Sequence, residues 1–161
     1  MKTAQLQIRV APEQKVALRR LARAAGMDLS AYVLARALPA AAERFAAALD
    51  ALRGEHDPGY ALAELNDLLT GFGAGEFVEA TRRADLAGLA PFARNYVAAL
   101  VEQAAHRKGA PAPDWMAAVE PLDRPWFAAD LPALRPHLLG AAPVPYKRRN
   151  LFVDAGIGAR V

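Results

Sequence analysis

The residues with the plainest chemical use stand in the first ten positions, where Gln5, Gln7 and Arg9 alternate with Leu6, Ile8 and Val10. A period of two places the three polar side chains on one face of an extended strand and the three apolar ones on the other. A guanidinium forks onto the acceptor edge of guanine and a carboxamide onto that of adenine, so the polar row suits reading of base edges. Lys2, Arg23 and the backbone N–H groups of Leu29 and Ser30, at the start of a predicted helix, suit phosphate contacts.

A second set stands late in the chain: Trp115, Trp126, Phe127, Tyr146 and the run Lys147-Arg148-Arg149. Trp, Tyr and Arg are favoured anchors at protein interfaces, so these seven are candidate partner contacts. They lie in a segment from Ala110 onward where eight prolines leave room for short helical turns alone, predicted between Leu131 and Leu139. The segment either wraps its own helical domain or lies along a partner. The basic triplet has three readings: a solvated tail, a second phosphate contact, or a plug for an acidic pocket.

Catalytic and metal chemistry find little footing. The chain has no cysteine, hence no disulfide framework and no thiolate ligand or nucleophile. Gly71-Phe72-Gly73-Ala74-Gly75 has the glycines of a phosphate loop, but a helix precedes it and Glu76 follows where a cation is needed. A helix–helix turn is expected there. Glu102 and His106 lie one turn apart without an evident third ligand, and read as a solvated pair. His56 and His137 have no nucleophile beside them. The expectation is a protein that is not an enzyme and uses no cofactor or metal.

The elements that must position the first set are short. Pro12 and Glu13 open a helix whose inner face is Leu18, Leu21 and Ala25 beside Ala17 and Ala22, and Gly26 ends it. Asp28 is a suitable N-cap for a second helix with Leu29, Tyr32, Val33 and Ala37 inward, ended by Pro39. A strand and two helices in fewer than 40 residues cannot close a core without a staple or a partner chain.

The stretches QLQIRV-x-PEQK, LRRLARAAG and MDLSAYVLARAL resemble the ribbon-helix-helix DNA-binding proteins, a family of repressors and antitoxins. The resemblance covers residues 1–38 and departs from the family at Ala11, where Ser or Thr is common, and at Ala31, where a capping box has Glu or Gln. It implies an intertwined homodimer whose two strands pair as an antiparallel ribbon in the major groove of double-stranded DNA. The C-terminal texture is similar to that of antitoxins encoded beside nucleotidyltransferase-type toxins, which implies a toxin as partner.

Charge is segregated in the same sense. Residues 1–38 carry +5, residues 39–140 carry −5 and residues 141–161 carry +3. Pairing two copies doubles the N-terminal block into the footprint of a polyanion binder, while the acidic middle would be repelled. Beyond it, Phe45, Leu49 and Leu52, then Leu62, Leu65, Leu68 and Leu69, then Phe92, Tyr96, Leu100 and Val101 mark the inner faces of further helices.

The chain is therefore expected to be mainly α. It divides into a ribbon-helix-helix domain over residues 1–39, a helical domain over 40–109 and a proline- and aromatic-rich arm over 110–161. No signal-like segment opens it and no run nears the roughly 18 apolar residues of a membrane span, so a cytoplasmic protein is expected. Two functions fit: a DNA-binding antitoxin that represses its own operon, or a repressor whose helical domain binds a ligand or oligomerises.

Overall fold

The computed structural model describes residues 7–37, 40–54, 57–129 and 131–154. The chain is mainly helical and divides into two compact units, Met1–Ala40 and Ala41–Val161.

In the first unit, α1 runs Pro12–Ala24 and α2 runs Leu29–Ala37. Pro12 sits in the first turn of α1, where its missing N–H costs nothing. Ala11 offers no side-chain cap, but Gln14 Oε1 accepts the Ala11 N–H at 2.9 Å. The helix ends as glycine dictates. Gly26 takes φ +67°, and the N–H groups of Met27 and Gly26 donate back to the carbonyls of Ala22 and Arg23 at 3.0 and 3.1 Å. Asp28 then caps α2, its Oδ1 accepting the Ala31 N–H at 2.9 Å.

Packing in this unit departs from the helical pattern. Ala22 and Tyr32 are the buried hydrophobic residues among those described, while Leu18, Leu29 and Val33 are half-buried and Leu21, Ala25 and Ala37 are exposed. The physical reason is size: two helices of 13 and 9 residues supply too few facing side chains to enclose a core. Gln7, Ile8, Arg9 and Val10 lie in no strand within the single chain, and all four are exposed. A ladder needs a second strand, and the antiparallel ribbon that the sequence implies is not formed by one copy.

The second unit is built around α6, Pro91–Lys108, which presents buried residues on most of its circumference. The helices α3 (Ala41–Ala51), α4 (Gly59–Gly71) and α5 (Ala74–Thr81) complete the helical part. Phe45, Leu49, Leu52, Leu62, Leu65, Leu69, Leu100 and Val101 are all buried in one core, and Leu68, Phe92 and Tyr96 pack against it. The glycine-rich stretch is a turn between α4 and α5, as expected. Gly73 is extended, and Glu76 Oε2 accepts its N–H at 2.9 Å, the use that the acidic residue finds there. Lys108 donates to the carbonyls of Thr70 and Phe72 at 3.1 and 2.6 Å, placing a cation on the C-terminal end of α4.

After Gly109, at φ +60°, the proline-dense segment folds onto this core. A turn of 3₁₀ helix spans Asp114–Ala118, and another spans Pro132–Leu134 and runs into α7 (Arg135–Ala141); α8 is the single turn Val144–Lys147. Two short strands, β1 (Trp126–Phe127) and β2 (Leu151–Phe152), pair in parallel, with Trp126 opposite Leu151 and Phe127 opposite Phe152. Tyr146, Leu151 and Val153 are fully buried in the same core as the helices. Of the two placements open to this segment, the wrap around its own domain is present.

Candidate functional site

The strongest candidate surface belongs to the first unit. Arg9, Lys15, Arg19, Arg20, Arg23 and Arg36 are all exposed, against the exposed acids Glu13 and Asp28. Gln7 and Arg9 lie exposed before α1, and Arg23 stands in its last turn. Arg36 is half committed, its guanidinium lying 5.6 Å from the ring centre of Tyr32. Lys2 and Gln5 lie outside the described residues.

At the start of α2 the first intrahelical bond is that of Tyr32 to the Asp28 carbonyl, at 2.9 Å. The N–H groups of Leu29, Ser30 and Ala31 precede it, and the Asp28 side chain takes the last of these. The Leu29 and Ser30 N–H groups remain outside the helix's own bonding, the arrangement that suits a phosphate oxygen. The Asp28 carboxylate stands at the same end and opposes an anion there. Any phosphate contact at this point therefore needs basic side chains of the same unit to outweigh it.

The apolar residues of this unit are as telling as the basic ones. Ile8 is 60% exposed, and Val10, Val16, Leu21, Met27 and Leu34 are each exposed as well. Six large apolar side chains uncovered in about 30 residues is a surface that monomeric proteins rarely leave bare.

The aromatic and basic residues of the late segment are spent on the second unit itself. Trp115 is half-buried and its indole N–H donates to the Thr81 carbonyl at 2.8 Å. The Phe127 ring stacks on Phe152 at 5.0 Å, with the Arg135 guanidinium 5.1 Å from its centre. Tyr146 has no exposed surface and meets Tyr96 edge to face at 5.4 Å; burial raises its phenol pKa far above the usual value. Trp126 sits at the edge, 37% exposed, 4.7 Å from Phe92.

Lys147, Arg148 and Arg149 are not a free tail. Lys147 Nζ donates to the Gly140 carbonyl at 2.8 Å, Arg148 Nη1 meets Glu102 Oε1 at 2.9 Å and Arg149 Nη2 meets Glu102 Oε2 at 3.4 Å. Burial lowers the Arg149 pKa, and the Glu102 carboxylate opposes that shift. Tyr146 and Arg149, candidates for a partner contact on sequence grounds, serve the interior of this chain instead. Glu102 is likewise corrected: it is a buried acid holding two arginines from 46 and 47 positions away, not half of a solvated pair with His106. A lone acid among apolar helix residues was the available signal, since a buried carboxylate requires a cation.

Among the described residues, no group of three or more His, Asp or Glu side chains is placed to hold a metal ion, and no helix is long and apolar enough to cross a membrane. Residues 1–55 match the family model described as NikA-like, Mobilization protein NikA. The match takes in the whole first unit and reaches into the second to just beyond the end of α3. No curated protein and no solved structure matches the chain.

Proposed function

We propose that the chain is a dimeric, sequence-reading DNA-binding protein of the ribbon-helix-helix kind, acting on DNA that is to be mobilised. Residues 7–10 of two copies pair as the antiparallel ribbon, burying Ile8 and Val10 against the exposed apolar faces of α1 and α2. Gln7 and Arg9, with Gln5, then face the major groove, and Arg23, Lys2 and the start of α2 meet the backbone. The exposed apolar residues of the first unit are the observation that carries this reading, because a second copy is what covers them in that architecture. The family match supports it, since NikA is itself a ribbon-helix-helix DNA-binding protein.

The second unit holds most of the chain and bears a poor surface for DNA, with net −2 over residues 41–161. Its role in this reading is to engage a protein partner, through residues that keep exposed surface such as Trp126 and Arg148. The matched family's name favours a partner from the mobilisation apparatus. The alternative in which the partner is a toxin and the chain represses its own operon rests on C-terminal texture alone, and the match lends it no support. Fluorescence anisotropy with duplexes enriched from a random pool tests DNA reading. A selected duplex bound far more tightly than random DNA, with affinity falling steeply with salt, is expected.

A further inference from the structure

A cavity of about 440 Å³ opens between the start of α4, the first half of α6 and β1, wholly within the second unit. The size is that of small-molecule sites, and so is the lining: mostly apolar walls with few polar groups. Leu62, Leu100, Phe92, Tyr96 and Trp126 supply the apolar surface. Three of these are aromatic and mutually inclined. Phe92 and Trp126 meet at 52°, Phe92 and Tyr96 at 51°, and Tyr96 and Trp126 at 82°, with centroids 4.7 to 6.5 Å apart. Such a cluster forms an aromatic wall, because rings this close leave no gap between them for a guest.

Among the described lining residues, Asp57 is the one that carries charge. Its Oδ1 accepts the Gly59 N–H at 3.1 Å, and Oδ2 is not used by that bond. The Tyr96 phenol keeps its proton, since burial raises its pKa above the ordinary value. No cation of the chain lines the cavity among those residues, so an aromatic wall and a carboxylate stand together without a positive partner.

We propose that this cavity binds a small arylalkylammonium: an aromatic body lies against Phe92, Tyr96 and Trp126, and its ammonium group meets Asp57. Ring-on-ring contact supplies the apolar affinity, and the cation gains from the carboxylate and from the electron-rich aromatic faces.

Phenethylammonium and its neutral counterpart, phenethyl alcohol, are the probes. Calorimetry on the full chain should show saturable binding of the cation, about fivefold tighter than that of the alcohol, the scale of one charge contact with the exposed Asp57. Asp57→Asn keeps the oxygen that caps Gly59, so its thermal unfolding should match the wild type while its preference for the cation falls to the small part that the aromatic faces supply. Trp126→Leu should weaken both probes. No saturable heat for either probe overturns the site. Equal affinity for cation and alcohol, or an unchanged preference in Asp57→Asn, overturns the assignment of a cation and leaves an apolar pocket suited to a partner's hydrophobic side chain.

Discussion

Arg149 Nη2 lies 3.4 Å from Glu102 Oε2, with the two side chains 8% and 9% exposed. The pair ties the end of the chain to the middle of α6, and it does so where water cannot screen it. A buried ion pair is a weak source of net stability when intact, but removing one member strands the other charge.

The first prediction follows. Glu102→Gln should destabilise the protein by about 3 kcal/mol, because Arg149 is left buried without a counter-ion. Arg148→Ala should cost under about 1 kcal/mol, since that side chain is 67% exposed. Urea denaturation of both variants measures the difference. Equal costs would mean that the carboxylate is solvated.

Alkaline pH offers a second test in the same unit. Burial raises the folded-state pKa of Tyr96 and Tyr146 above the ordinary 10.0. Both groups therefore bind their protons more tightly when folded. Their contribution to stability is complete below pH 10 and is lost as pH rises beyond the unfolded value. Unfolding free energy should fall above about pH 10, and after the exposed Tyr60 has ionised the tyrosinate absorbance of Tyr96 and Tyr146 should appear together with loss of helix. Ionisation of all tyrosines in a still-folded protein contradicts the burial.

A third prediction concerns the exposed apolar strand. Ile8→Asp should convert a dimer to a monomer at micromolar concentration in sedimentation experiments, because it places a charge at the centre of the proposed ribbon. A wild-type chain that sediments as a folded monomer removes the basis of the pairing.

Residues 41–161 should fold alone, since their core closes without the first unit. A chain of those residues should melt cooperatively and bind DNA no better than its net −2 allows. Strong, salt-dependent DNA binding by it would relocate the interface.

Much of this fold was legible because its signals are local. Pro12, Gly26 and Asp28 mark helix ends by rules that involve a few neighbouring residues, and each stands where those rules put it. The inner faces of α3, α4 and α6 follow from helical spacing, and burial agrees with it. The parallel pairing of Trp126 with Leu151 was not legible, because two-residue strands have no periodicity to read. Nor was the burial of Tyr146 and Arg149, which depends on partners about fifty positions upstream. The proposed ribbon would be a property of two chains. The alternation of Gln7 to Val10 states which face would pair, while a single copy offers no strand to pair with.

The most direct measurement is the affinity of wild type and Arg9→Ala for a duplex enriched by the wild type and for a random duplex of equal length. If Arg9 reads a base edge, the variant loses about 1–3 kcal/mol on the selected duplex and keeps its affinity for random DNA almost unchanged. Equal weakening on both duplexes would make Arg9 a phosphate contact, and failure of the wild type to enrich any sequence would contradict DNA reading altogether.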